Sequence, residues 1–334
     1  MIGQRIEIWK SEEYSYPAAY GFIPLMVSYI HEDQKIRPCM LVVPGGGYRH
    51  VSVSEGDIVA RRFYSMGYNV FVLAYTINVL DTPAKLQPLH DISRAVRLIR
   101  RHAEMCRIDP EKLVVCGFSA GGHLCASLCV HCEDIKDPRP EYDRISNRPD
   151  AAILAYPVIT SGEYAHRDSF TALFGEEPSE EELEYMSLEK HVAPDTPPCF
   201  LWQTASDDTV PVENSYLFAE ACRKAQVPFA HHVFTEWVHG MSVADEDWME
   251  CRYWEPYTLE QIRLLGNAIK EGRTSYPVDK GEEILRQYGL TEQKPEKWTA
   301  EMKKVLRRIF PEVGMWPEMA GRWLERQLDI CDIH

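Results

Sequence analysis

Residues 114–123, Val114-Val115-Cys116-Gly117-Phe118-Ser119-Ala120-Gly121-Gly122-His123, carry the strongest architectural signal in the chain. A short β-branched run ends in the pattern G-x-S-x-G and a helix-like segment follows, which predicts a strand turning sharply into a helix. On such a bend a serine oxygen stands clear of the backbone with helix-terminal N–H groups beside it, so Ser119 is a candidate nucleophile. Gly117 and Gly121 are expected because a side chain at either position would meet the turn or the neighbouring strand. An ordinary strand-to-helix loop can carry the same five residues, so neighbouring motifs have to decide.

Upstream, Cys39-Met40-Leu41-Val42-Val43 reads as a buried strand running into Pro44-Gly45-Gly46-Gly47-Tyr48. A glycine run alone suits a flexible turn. Bare backbone N–H groups can also converge there on one point, as is needed to meet the negative charge of a tetrahedral acyl-transfer intermediate. A glycine-rich loop after an early strand, followed by a serine elbow, is the arrangement of lipases and esterases. Downstream, Phe200 to Ala205 reads as a strand followed by the loop Ser206-Asp207-Asp208-Thr209-Val210-Pro211, where an acid could hold an imidazole in one tautomer. The strand-like run Phe229 to Phe234 leads to Glu236-Trp237-Val238-His239-Gly240. Serine, acid and histidine in that order differ from the chymotrypsin and subtilisin arrangements and match the α/β-hydrolase one.

The rest of the chain alternates in the same way. Asp57 to Ser65 reads as a helix and Asn69 to Tyr75 as a strand. Leu89, Ile92, Ala95, Val96, Ile99 and Ala103 recur at helical spacing with Arg94, Arg97, Arg100 and Arg101 among them, which predicts an amphipathic surface helix. Ala151 to Tyr156 is a further buried strand. Apolar strands alternating with helices imply a mostly parallel central sheet with helices on both faces. Residues 160–198 interrupt the pattern with a charged, helix-like stretch and aromatics; they suit either a small cap over the strand ends or an excursion that steadies the sheet edge. The stretch after Gly272 looks unnecessary to the sheet, yet Trp298, Trp316 and Trp323 predict that it is docked. The expected division is a catalytic domain over residues 1–272 and a helical extension over 273–334. The extension would pack on the hydrolase body or on a second subunit of a homodimer.

With 334 residues, 45% hydrophobic and 26% charged, the composition is that of a globular protein. The formal net charge of −15 argues against nucleic acid or an anionic membrane surface as a partner. No apolar run is of membrane-spanning length and the N-terminal residues lack the apolar core of a signal peptide, so a cytoplasmic location is expected. Several of the ten cysteines lie within apolar patterns as small core residues. Cys129, His131 and Cys132 would point in different directions on a helix, so no metal site is expected.

From about residue 20 to 270 the chain resembles the α/β-hydrolase superfamily, and within it the acetyl-xylan-esterase-like and bifunctional feruloyl-esterase-like carbohydrate esterases. The likeness rests on Pro44 to Tyr48, Asp91 to Val96, Gly117 to Leu124, Thr196 to Pro198, Val210 to Ser215 and His239-Gly240. It implies Ser119 as nucleophile, His239 as base, and Asp207 as acid, with Asp208 and Thr209 between it and Val210-Pro211. It also implies oxyanion donors in the N–H groups of Ala120 and of Gly46-Gly47. Asp208 is the rival acid, and His123 is expected to pack or hydrogen-bond. Trp237 and Val238 stand where the family often has small residues and are expected to shorten the acyl slot; with Tyr48 they are expected to line the substrate pocket. Gln203 stands where related chains often have His, so no role of that histidine is carried over. The implied activity is hydrolysis of short acyl esters, acetyl above all, on xylo-oligosaccharides or related sugars, without a cofactor. A serine peptidase, a broad lipase and a non-catalytic binding protein are the alternatives on the same scaffold.

Overall fold

The apolar runs assemble into an eight-stranded sheet in the protein's computed structural model, which describes residues 2–80, 82–236, 238–253, 256–291 and 298–330. The strands are β1 (Ile2–Glu7), β2 (Leu25–Tyr29), β3 (Arg37–Val43), β4 (Asn69–Ala74), β5 (Ile108–Phe118), β6 (Ala151–Ala155), β7 (Cys199–Thr204) and β8 (Phe229–Phe234). Their order across the sheet is β1-β2-β4-β3-β5-β6-β7-β8. The six from β4 to β8 run parallel, while β2 is antiparallel to both its neighbours. Both faces are covered, and the buried residues of β3, β4, β5, β6 and β7 are accordingly mostly apolar, with Asn69 and Gln203 among the buried exceptions. The edge strand β1, not legible in the sequence, is mostly exposed and blunted by Gln4, Arg5 and Glu7.

The helices are α1 (Asp57–Ser65), α2 (Gln87–Arg101), α3 (Ala120–His131), α4 (Pro140–Asp143), α5 (Arg167–Phe174), α6 (Glu180–Tyr185), α7 (Glu213–Ala225), α8 (Glu246–Met249), α9 (Glu260–Lys270), α10 (Val278–Gln287), α11 (Ala300–Val313) and α12 (Trp316–Gln327). The chain steps from β3 outward to β4, then returns past β3 to β5 and continues to β8. Right-handed crossovers place connections that step in opposite directions on opposite faces. Accordingly α1 lies on one face through Ile58, Val59 and Phe63. On the other face lie α2, α3 and α7, through Ile92, Leu124 and Phe218.

Those crossovers leave the α1 face bare under β6 and β7, and α12 fills the gap. Trp316 is fully buried and stacks on Trp202 with ring centroids 5.3 Å apart, while Trp323 lies 5.9 Å from Phe200. The Trp316 Nε1–H donates to the Ser242 carbonyl at 2.7 Å. The expectation that the sheet has no need of the stretch after Gly272 is therefore corrected: its last helix completes one layer of the core. In the same stretch α10 packs tightly on α9, since a Cβ on Gly281 would lie 2.5 Å from the Gly266 carbonyl oxygen.

The helix α2 also departs from a simple amphipathic surface helix. Arg94 is 2% exposed, pairs with Asp137 (Nη2 to Oδ1, 2.7 Å), and stacks over the rings of Trp9 and Tyr142 at 4.1 and 4.5 Å. Among the described residues no helix is long and apolar enough to cross a membrane.

Candidate active site

Between β3 and β5 the direction of connection reverses, and a crevice opens there at the carboxyl ends of the strands. Ser119 sits at the junction of β5 and α3 with φ 54° and ψ −120°, a conformation that non-glycine residues rarely adopt. It is held by its N–H donating to the Ala155 carbonyl at 3.0 Å and by its own carbonyl accepting from the His123 N–H at 3.0 Å. A Cβ on Gly117 would lie 2.2 Å from the Gly121 carbonyl oxygen, and one on Gly121 would lie 2.1 Å from that of Val43. These are the two collisions, with the turn and with the neighbouring strand, that require glycine at both positions.

The loops after β7 and β8 bring Asp207 and His239 to this serine. Ser119 Oγ lies 2.7 Å from His239 Nε2, and His239 Nδ1 lies 2.8 Å from Asp207 Oδ2. With Nδ1–H donating to the carboxylate, Nε2 is free to accept the serine proton. Asp207 is itself fixed, since its Oδ1 accepts the N–H groups of Thr209 and Val210, each at 3.0 Å. Gln203, fully buried, donates through Nε2 to the Val210 carbonyl at 2.7 Å and so braces the acid's loop from below. Asp208 is exposed and accepts from the Thr209 hydroxyl at 3.3 Å.

The glycine loop is pinned from several sides. Tyr75 Oη donates to the Pro44 carbonyl at 2.7 Å, the Gly45 N–H donates to Glu55 Oε2 at 2.7 Å, and the Asn78 N–H donates to the Tyr48 carbonyl at 2.7 Å. Gly46 and Gly47 have φ of 119° and 61°, values that favour glycine. Among the described residues their N–H groups donate to no other group of the chain. Ala120 is the first residue of α3, so its N–H has no partner within the helix.

A cleft of about 450 Å³ lies over Ser119 and His239, with Gly46, Gly47, Arg49, His50, Glu55, His166, Asp168 and Tyr288 in its walls. His166 and Asp168 come from the insertion between β6 and β7, and Tyr288 from the end of α10. Burial pushes the His50 imidazole down to about 4 and lowers that of His166, so both face the cleft uncharged at neutral pH. A larger cavity of about 640 Å³ lies elsewhere, between the β1–β2 edge and the end of α2, and contains none of these groups.

Of the expected pocket residues, Tyr48 is not brought to the cleft. It is 1% exposed, and its Oη lies 2.8 Å from His123 Nδ1 in the core. His123 Nε2–H donates to the Met186 carbonyl at 3.1 Å, so Nδ1 accepts from the tyrosine and the ring ties α3 to the insertion. Val238 is half-buried and outside the cleft walls, and Trp237 lies outside the described residues. His131 donates to the Tyr185 carbonyl at 2.8 Å and stacks on that ring, which engages it with the insertion. Sequence reasoning missed Glu55, His166, Asp168 and Tyr288, none of which stands in a motif.

A serine at the strand-to-helix bend after β5, facing an acid and a histidine from the ends of the last two parallel strands, β7 and β8, makes the molecule an α/β-hydrolase. The chain belongs to the BD-FAE family, which it matches over residues 27–222. It is 53% identical over 266 residues to Endo-1,4-beta-xylanase B of Butyrivibrio fibrisolvens, covering 79% of this chain and 42% of that protein. It is 26% identical over 251 residues to an Acetylxylan esterase of Xylanibacter ruminicola, covering 73% of this chain and 48% of the relative. The chain thus spans less than half the length of these two curated relatives. Among solved structures, an acetyl ester-xyloside bifunctional hydrolase from Caldicellulosiruptor lactoaceticus is similar at 37% identity and a TM-score of 0.68, over 81% of this chain and 97% of that one.

Proposed function

We propose that this chain is a serine esterase that removes short acyl groups, acetyl above all, from xylo-oligosaccharides or related sugars. The observation that carries the reading is the continuous contact from Ser119 Oγ through His239 to Asp207, at 2.7 and 2.8 Å. His239 Nε2 takes the serine proton as Oγ attacks the ester carbonyl. The N–H groups of Ala120 and of Gly46 and Gly47 stabilise the oxyanion that forms. His239 then returns the proton to the departing sugar oxygen, leaving Ser119 acylated. Water, deprotonated by the same nitrogen, attacks the acyl carbonyl, and collapse releases the acid and restores the serine. Asp207 holds the imidazole in the required tautomer throughout. The chemistry calls on no cofactor.

The names of the relatives support a sugar ester as substrate. So does the cleft, whose walls offer Arg49, His50, His166, Asp168 and Tyr288 to a polyhydroxylated alcohol and little continuous apolar surface to a long acyl chain. Nine free cysteines among the described residues, most of them buried, support a reducing, cytoplasmic setting in which imported oligosaccharide esters would be met. We further propose that the partner is a small ester rather than nucleic acid or membrane, with a homodimer as one possible assembly. A hydrolysis panel of acetyl, butyryl, octanoyl and feruloyl esters beside acetylated xylo-oligosaccharides tests the reading. Acetyl esters should be turned over fastest; octanoyl esters matching them would overturn the short-acyl assignment.

A further inference from the structure

Glu55 is a buried carboxylate to which the proposed hydrolysis gives no chemical step. It is 3% exposed at the turn leading into α1 and contributes to the inner wall of the cleft. Its Oε2 accepts the Gly45 N–H at 2.7 Å and its Oε1 accepts the Tyr156 hydroxyl at 2.8 Å. The same hydroxyl oxygen accepts the Ser242 N–H at 3.1 Å, and the Tyr156 ring stands edge-on to His239 with centroids 4.8 Å apart. Three loops from three strand ends therefore meet around one side chain: the glycine loop after β3, the bend after β6 and the histidine loop after β8.

These loops are not self-supporting. Tyr156 and Ser242 have φ of 36° and 40°, outside the regions that such residues favour, and conformations of this kind persist only where the surroundings over-determine them. Burial, and after it the Glu55 carboxylate, hold the Tyr156 phenol well above its ordinary pKa, so it remains a donor to Glu55. Burying a carboxylate is costly unless it is well hydrogen-bonded, and a core that needed only volume here could use an apolar side chain.

We infer that Glu55 is a positioning residue for the proposed ester hydrolysis, tying the glycine loop to the histidine loop so that the oxyanion donors and His239 stay in register about Ser119. The inference rests on the esterase reading for its substrate. It predicts that Glu55 matters most at the tetrahedral stage, when donors and imidazolium must be aligned at once, and little for ground-state binding.

The test compares wild-type protein with Glu55→Gln and Tyr156→Phe. The amide keeps the size of the carboxylate but cannot accept from both Gly45 N–H and Tyr156 Oη–H, whereas the phenylalanine cuts the arm to Ser242 and leaves the Gly45 bond. Active sites are titrated with an organophosphonate, and p-nitrophenyl acetate kinetics are followed by inhibition with an acetyl-type trifluoromethyl ketone, which forms a tetrahedral adduct. For Glu55→Gln, kcat should fall by about 10- to 100-fold with KM changed less than about threefold, and ketone affinity should fall in step with kcat/KM. Tyr156→Phe should show the same pattern at smaller size. A merely structural glutamate would lower the melting temperature and the titratable fraction while leaving kcat per titrated site and ketone affinity within about twofold of wild type; that result overturns the inference. Should Glu55→Gln fail to fold, Tyr156→Phe decides on the same two readouts. A wild-type protein that neither turns over p-nitrophenyl acetate nor reacts with the phosphonate defeats the esterase reading and this inference together, whereas an active wild type with an unaffected Glu55→Gln defeats the inference alone.

Discussion

His239 Nδ1 lies 2.8 Å from Asp207 Oδ2, while the adjacent Asp208 is turned to solvent and engages the Thr209 hydroxyl. The two carboxylates are neighbours in sequence and differ in everything that matters to an imidazole. Asp207→Asn should lower ester kcat by about 10⁴-fold, because the amide favours the wrong histidine tautomer. Asp208→Asn should stay within about threefold of wild type, as expected for an exposed side chain outside the hydrogen-bond chain. Steady-state kinetics on the two purified variants check this, and the reverse ranking would move the acid to Asp208.

Tyr288 reaches the cleft from α10, with its ring 5.2 Å from that of His50. If it receives the sugar side of the substrate, Tyr288→Ala should raise KM for acetylated xylo-oligosaccharides about three- to tenfold, the worth of one aromatic contact. Turnover of p-nitrophenyl acetate, whose alcohol is not a sugar, should remain within about twofold. Equal effects on both substrates would remove Tyr288 from the sugar side.

His123 is buried with its pKa pushed down to about 4, first by burial. Below the unfolded-state value of about 6.5 the unfolded chain binds a proton that the folded chain does not, so stability falls with pH from there and levels off near the folded value. The loss attributable to this one ring approaches about 3 kcal/mol at the low end. Urea denaturation between neutral pH and pH near 4.5 should show a smaller decline for His123→Gln than for wild type; parallel declines would mean that the ring is not kept neutral.

Trp316 joins the sheet face to the histidine loop, stacking on Trp202 and donating to the Ser242 carbonyl. Trp316→Ala should cost about 3–5 kcal/mol in chemical denaturation, and truncation after Gly272 should cost more by exposing Trp202 and Phe200. A truncated chain with unchanged unfolding midpoint would show that α12 is not part of the core.

How much of this was legible depends on how local each cause is. The elbow around Ser119 could be read because Gly117 and Gly121 are demanded by contacts within one turn or with the adjacent strand. The apolar strands β3 to β7 carry their burial in their own composition, whereas exposed β1 carries none. Tyr48 follows the glycine run and so looked like a pocket residue, but the left-handed turn there, with its φ of 58°, directs it to His123 in the core. Glu55 and Tyr156 are 101 residues apart, and only the sheet order brings them together. The role of α12 follows from crossover handedness and strand order jointly, and strand order is not written in any single segment.

In the proposed hydrolysis Ser119 carries the acyl group, which covalent labelling can check. The protein is reacted with a fluorophosphonate, digested and mapped by mass spectrometry, with p-nitrophenyl acetate turnover followed in the same sample. One label per chain is expected, on Ser119, with activity lost in proportion, and no labelling of Ser119→Ala, whose turnover should be lower by about three to six orders of magnitude. A label on another residue, or a pure Ser119→Ala protein that keeps more than about a tenth of wild-type turnover, would contradict it.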